Sequence, residues 1–217
     1  MNQHTSDTPI CYIFGAGEFT PCEIDLTEQD LVIAADGGYD HLIGMGLRAD
    51  IALGDFDSVT AYELWEDTIC EKITYPPEKD DTDMMLAIKL GLSKGYETLA
   101  IYGGLGGRLD HTIANVQALS YVAEQGARAI LYHENYALTV IKDSSFTLPK
   151  STSSYVSVFS LSDKSENVTI KGLKYEIEGE TLSNTFPLGV SNEATGKKGV
   201  ISVGNGTLAI LWNEIEQ

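Results

Sequence analysis

Along the first two thirds of the chain, short apolar blocks alternate with segments whose apolar residues recur at helical spacing. Ile10–Phe14, Leu31–Ala35, Ile51–Leu53, Lys72–Tyr75, Thr98–Tyr102 and Ala129–Tyr132 read as strands, and Tyr39–Leu47, Ala61–Asp67, Met84–Leu92 and Thr112–Gln125 as helices. That alternation predicts an α/β fold with a mostly parallel sheet and crossover helices. Right-handed crossovers would bring the segment after each strand to the carboxyl edge of one sheet. Beyond Tyr136 the helical period is lost. Tyr155–Leu161, Asn167–Ile170, Tyr175–Glu178, Val200–Val203 and Thr207–Trp212 are short alternating runs separated by Gly, Ser and Asn, the pattern of an all-β sandwich. The expected division is an α/β domain over 1–143 and a β-sandwich over 144–217, with Asp143-Ser144-Ser145 as hinge.

The segments that follow the strands carry the candidate chemistry. After Ile51–Leu53 comes Gly54-Asp55-Phe56-Asp57-Ser58. Two carboxylates held about 4 Å apart repel by roughly 4 kcal/mol at an effective dielectric near 20, so a turn that keeps them together calls for a cation; an Asp-rich solvated turn is the plainer alternative. Asp36-Gly37-Gly38 ends another strand, leaving a carboxylate beside two small residues that permit close approach of a ligand. Glu78-Lys79-Asp80-Asp81-Thr82-Asp83 precedes a helix, and three aspartates exceed what capping and the helix dipole require. Gly103-Gly104-Leu105-Gly106-Gly107-Arg108-Leu109-Asp110-His111 has the composition of a phosphate cradle, with unobstructed backbone donors and a guanidinium for bidentate bonding. The Gly15-Ala16-Gly17 turn offers weaker phosphate chemistry of the same kind, and His111 reads first as a structural hydrogen-bonder.

Composition narrows the partners. A formal net charge of −18 opposes nucleic acid, but admits a nucleotide bridged by a divalent cation and attracts a cationic small molecule. Cys11, Cys22 and Cys70 show no Cys-x-x-Cys spacing, which argues against a zinc site or disulfide frame and suits a reducing compartment. No stretch approaches the roughly 20 apolar residues of a membrane span, and the N-terminal residues lack a leader pattern, so the expectation is a cytoplasmic protein without membrane contact.

Gly54-Asp55-Phe56-Asp57-Ser58, Lys79-Asp80-Asp81-Thr82-Asp83, the glycine-rich segment through Arg108-Leu109-Asp110-His111, and the later Ser191-Asn192-Glu193 together resemble the thiamine pyrophosphokinase family in identity, order and spacing. The likeness spans nearly the whole chain and is looser in the second half, where Gly172-Leu173-Lys174-Tyr175 and the polar Gly189–Glu193 loop carry it. Ala49 stands where the family pattern has proline. The resemblance implies a homodimer that uses Mg²⁺ and ATP to convert thiamine to thiamine diphosphate, releasing AMP. It implies Asp55, Asp57 and Asp83 as metal ligands assisted by Asp36, and Asp80 or Asp83 near the reacting hydroxyl. Gly15, Gly37, Lys79, Thr82, Gly104, Gly107, Arg108, Asp110 and His111 would surround the nucleotide, and Tyr175, Ser191 and Asn192 the thiamine at the dimer interface, with Tyr175 stacking and Ser191 hydrogen-bonding from either the same or the partner subunit. A pterin-like acceptor, an Asp-x-Asp phosphohydrolase built on Asp55 and Asp57, and a nucleotide sensor without turnover are the competing readings.

Overall fold

The computed structural model describes residues 8–56, 59, 71–76, 78, 80–150 and 152–214. Two compact units divide the chain. One runs through Ala118 and takes in Leu131–His133; the other comprises Leu119–Ile130 and the chain from Glu134 onward.

The first unit holds β1 (Cys11–Phe14), β2 (Leu31–Ala35), α1 (Gly38–Gly44), β3 (Ile51–Gly54), β4 (Glu71–Thr74), α2 (Asp83–Ser93) and β5 (Thr98–Tyr102). Its strands are parallel and run in the order β5-β1-β2-β3-β4. Both faces of β1 are covered, which is why every residue in it is buried. Tyr12 and Phe14 pack in one cluster with Tyr39 and Leu42 of α1. Cys11, on the opposite face, lies so close to α2 that a Cβ on Gly91 would come within 2.8 Å of its sulfur. The chain steps outward from β1 to β4 and then returns to place β5 on the other side of β1. That reversal makes the carboxyl ends of β1 and β5 the switch point of the sheet, where open α/β folds form their ligand crevice.

The second unit is antiparallel. β7 (Tyr136–Lys142), β9 (Thr152–Ser160), β12 (Gly189–Glu193) and β14 (Thr207–Glu214) form one sheet in the order β12-β9-β14-β7. β8 (Ser145–Thr147), β10 (Lys164–Lys171), β11 (Ile177–Ser183) and β13 (Val200–Ser202) form another in the order β11-β10-β13-β8. Trp212 of β14 is fully buried and meets Phe146 of β8 at 5.3 Å between ring centroids, so the two sheets share an aromatic core. Two elements are divided between the units: α3 (Leu109–Glu124) and β6 (Arg128–Tyr132).

Several expectations change. Helix α3 begins at Leu109 rather than Thr112, because the Thr112 N–H already bonds the Arg108 carbonyl at 3.2 Å. Helix α1 stops at Gly44 instead of Leu47. Asp143 is no free hinge: its N–H donates to the Gly206 carbonyl at 3.1 Å and its carboxylate accepts the Gly206 N–H at 2.7 Å, while Ser145 starts β8. Gly189–Glu193 is edge strand β12 paired with β9, not a loop. Tyr175 precedes β11, which begins at Ile177. The helix expected over 61–67 lies outside the described residues.

Candidate active site

The carboxyl edge of the parallel sheet begins with two aspartates on neighbouring strands. Asp36 follows β2 in a left-handed conformation, φ 50°, and its N–H donates to the Leu53 carbonyl at 2.8 Å. Asp55 follows Gly54, whose missing side chain is the reason the two strand ends fit: a Cβ there would stand 3.2 Å from the Asp36 Cα and Cβ. Both aspartates are half-buried. The turn is unusual for a second reason, since Phe56 also adopts positive φ, at 61°. An aromatic residue is held in that region only where its surroundings enforce it, a frequent property of functional turns.

Helix α2 delivers the next carboxylates. Thr82 caps it, its Oγ1 accepting the Met85 N–H at 3.2 Å, which accounts for one polar residue of the acidic segment by local structure. Asp81 is accounted for by Lys89, which donates to both of its oxygens at 2.8 and 2.7 Å. Asp80 is exposed, and Asp83 is half-buried at the first helical position. Met84 beside it packs against Gly15, so the start of α2 lies over the end of β1, next to the Asp36 strand.

The glycine loops behave differently from their reading as paired phosphate cradles. The Gly15 N–H donates to the Tyr102 carbonyl, and the Gly17 N–H to the Gly103 carbonyl, each at 2.8 Å; the Glu18 N–H follows with Leu105 at 3.0 Å. A Cβ on Gly17 would stand 2.6 Å from the Gly103 oxygen, and one on Gly103 would collide with the Gly15 carbonyl. Gly15 therefore closes the switch point by backbone pairing, and its donor is not open to phosphate. Gly104 is buried, its carbonyl accepting 2.6 Å from the Asn115 side chain. The open part of the rim is Gly106-Gly107-Arg108.

Arg108 is exposed and bonds Asp110 through Nε at 3.1 Å and Nη2 at 2.6 Å. The guanidinium, followed by the His111 backbone N–H, holds the Asp110 carboxyl down at about 2, and the Arg108 pKa is raised in return. His111 is exposed, and its backbone N–H bonds Asp110 at 3.0 Å. Gly37 caps α1 in helical conformation. Asp57 and Lys79 lie outside the described residues.

In the second unit, Asn192 is buried and spends its amide on the chain that carries Tyr175. Its Oδ1 accepts the Tyr175 N–H at 3.0 Å and the Glu193 N–H at 2.9 Å, and its Nδ2 donates to the Tyr175 carbonyl at 2.7 Å. The Tyr175 ring itself is 57% exposed, with the Lys174 ammonium 5.2 Å from its centroid. Lys174 is held there by Glu193 at 2.7 Å. Ser191 is exposed in a left-handed turn, φ 59°, pinned by its N–H to the Ser157 hydroxyl at 3.1 Å.

Sequence reasoning missed Glu18 and Asn115. Asn115 was discoverable, because it interrupts the apolar stripe that α3 continues through Leu119 and Val122, and a buried amide needs a partner. Glu18 left no such signal.

The donor set is all oxygen, which suits a hard divalent cation. Among the described residues, no three His, Cys, Asp or Glu side chains stand together as a preformed metal cluster. Mg²⁺ needs only one or two carboxylates, since water and phosphate complete its shell, so Asp36, Asp55 and Asp83 on one edge fit it. Cys11 offers no thiolate: burial, with Asp50 nearby, pushes its thiol up to about 12.

Comparison with known proteins gives the edge its context. Residues 24–131 match the family described as "Thiamin pyrophosphokinase, catalytic domain", and residues 144–208 match "Thiamin pyrophosphokinase, vitamin B1 binding domain". The chain belongs to the thiamine pyrophosphokinase family. It is an enzyme of a family that forms thiamine diphosphate from thiamine and ATP. It is 28% identical over 187 residues to thiamine pyrophosphokinase of Bacillus subtilis, covering 85% of this chain and 87% of that protein. The crystal structure of thiamine pyrophosphokinase from B. subtilis superposes with a TM-score of 0.83 at 25% identity, covering 95% of this chain and 99% of that one. That of thiamin pyrophosphokinase from Geobacillus thermodenitrificans gives 0.83 at 27% identity, covering 96% and 99%. A large mostly parallel sheet with few helices, joined in the chain to antiparallel sheet, is the architecture shared with these pyrophosphokinases.

Proposed function

We propose that this pyrophosphokinase is Mg²⁺-dependent and transfers the β,γ-diphosphate of ATP to the hydroxyl of thiamine. The thiamine oxygen forms a bond to the β-phosphorus, the bond from that phosphorus to the α,β-bridging oxygen breaks, and AMP leaves with the electron pair. The observation that supports this reading is topological: Asp36, Asp55, the Asp83 helix start and the open Gly106-Gly107-Arg108 rim each follow a strand of one parallel sheet and so belong to its carboxyl edge. Such transfer needs alignment and charge compensation more than covalent participation by the protein.

Bound Mg²⁺ would offset phosphate charge and align the transferred group. Asp55, Asp83 and, outside the described residues, Asp57 would hold it, with Asp36 assisting. Arg108 and the Gly107 N–H would bond phosphate oxygens, Gly37 would allow the nucleotide close approach, and Gly15 and Gly104, packed against Met84 and Leu131, would shape the nucleotide's surroundings from beneath. Lys79 would add positive charge; Thr82, Asp110 and His111 would shape the pocket rim. Asp80 or Asp83 would orient the thiamine hydroxyl and take its proton. In the residues 144–217 that we assign to thiamine binding and dimerisation, Tyr175 would stack on the cationic ring, Ser191 would bond it, and Asn192 would act by fixing Tyr175. Residues 1–143 would bind ATP. Exposed Phe186, Leu188 and Val190 leading into the edge strand β12 support a homodimer in which that thiamine-binding surface serves the partner subunit. An excess of acidic residues favours a cationic acceptor over nucleic acid, and no helix among the described residues is long and apolar enough to cross a membrane. We assign the work to the cytoplasm on the unpaired cysteine pattern.

Incubation with thiamine, ATP and Mg²⁺, followed by nucleotide chromatography, tests the reaction. AMP and thiamine diphosphate in equal amounts are expected, and both should vanish with EDTA. ADP would identify monophosphate transfer, and phosphate release without thiamine would identify a hydrolase.

A further inference from the structure

The two groups of the open rim that we assign to phosphate, the Gly107 N–H and the Arg108 guanidinium through Nε and Nη2, already bond the protein's own carboxylates. Arg108 is taken by Asp110, its neighbour in the chain. The Gly107 N–H is taken by Glu18, far away in sequence, which accepts it at 3.0 Å through Oε1. The placement is built. The Glu18 N–H pairs with the Leu105 carbonyl, so the backbone carries the side chain to the loop, and a Cβ on Gly106 would collide with the Glu18 carboxyl group. Its other oxygen faces His133 Nε2 at 3.8 Å. Gly106 and Gly107 both have positive φ, at 80° and 63°, which is the conformation that turns the Gly107 donor toward Glu18.

We infer that Glu18 is an internal stand-in for a nucleotide phosphate: in the free enzyme it occupies the Gly107 donor, and ATP must displace it to bind. The inference rests on the reading of Gly106-Gly107-Arg108 as the phosphate loop. One N–H cannot serve a carboxylate and a phosphate oxygen together, and the two anions repel at that distance. Glu18 is 65% exposed, so its carboxylate has water to move into once displaced. Part of the affinity for ATP is therefore spent on removing it, which weakens nucleotide binding without touching the transfer step. Glu18 is thus a positioning residue that sets nucleotide affinity.

The test is direct ATP binding by titration calorimetry in Mg²⁺, with KM and kcat measured in parallel, on the full-length Glu18→Ala, Glu18→Gln and Arg108→Ala variants. Glu18→Ala is expected to tighten ATP binding about three- to ten-fold, with the change falling on KM for ATP rather than on kcat. Glu18→Gln, uncharged but still able to accept the Gly107 N–H, should fall between it and wild type. A structural brace would give the opposite pattern: weaker binding in Glu18→Ala and full rescue by Glu18→Gln. Unchanged or weaker binding in Glu18→Ala, while Arg108→Ala weakens ATP, overturns the inference and leaves the loop assignment standing. Unchanged ATP binding in Arg108→Ala overturns the loop assignment itself.

Discussion

The parallel-sheet rim and the Tyr175 segment hold their ligand-facing groups in opposite ways. At the rim, geometry is set mostly by main chain on main chain: Gly15 to Tyr102, Gly17 to Gly103 and Glu18 to Leu105, with the Asn115, His41 and Glu18 side chains adding one bond each to Gly104, Gly17 and Gly107. Around Tyr175, a single buried amide fixes the backbone that carries the exposed ring through two hydrogen bonds, and its oxygen also accepts the Glu193 N–H. A backbone-built rim fails when a Cβ is added, and an amide-built platform fails when one side chain is removed. Under the proposed function Asp55, Asp57 and Asp83 are a third kind of part, which would contribute charge to the reaction and little to the scaffold.

Substitutions separate these three kinds, beginning with the largest effect. Asp55→Asn, Asp57→Asn and Asp83→Asn should each cost on the order of 10²-fold or more in turnover while the circular dichroism spectrum stays that of wild type. Wild-type rates in all three would remove the metal-binding assignment. Gly103→Ala should damage the scaffold instead, since it forces a side chain into the Gly15 carbonyl at φ 61°. A fall in Tm of about 5 °C or more is expected, read by calorimetry, whereas Gly44→Ala, with open space around it and helical backbone, should leave Tm unchanged or raise it slightly. Asn192→Ala should raise KM for thiamine several-fold by freeing Tyr175, at a stability cost of about 1–3 kcal/mol, and leave KM for ATP alone. An equal rise in both KM values would contradict the separate roles of the two regions.

The smallest effect is a titration. Asp110 has a carboxyl held below its ordinary value of 3.8, at about 2, chiefly by Arg108. A depressed acid of this kind contributes whatever stability it has above its unfolded value, and loses it only as pH falls through about 2. Asp110 is therefore ionised throughout the range in which the enzyme would be assayed. Carboxyl ¹³C NMR should place its midpoint near 2 in wild type and shift it upward in Arg108→Ala, where the His111 N–H still holds it down.

Much of the first unit was legible in sequence because buried parallel strands write themselves as apolar blocks, and the helices between them keep their period. The strand ends then locate Asp36, Asp55 and the glycine segments on one edge by topology alone. What stayed hidden depended on pairing across the chain. Nothing in Gly15-Ala16-Gly17 tells whether its donors face a phosphate or the Tyr102 and Gly103 carbonyls. Gly189–Glu193 looked like a loop because its residues are polar, yet an edge strand with a solvent face tolerates Ser and Asn. Asn192 was expected to face a ligand and instead faces the backbone of Tyr175, a distinction no local pattern encodes.

The main-chain stitching of the switch point has a consequence for how such enzymes can drift. A shape made from carbonyls and amides is copied by any sequence that keeps its few glycines, so the residues around it are free to change. A chain 28% identical to its B. subtilis relative has had room to change at most of its positions, and the main-chain pairing here asks only that those glycines stay. Drift is closed off only where an added methyl group would strike the opposite carbonyl.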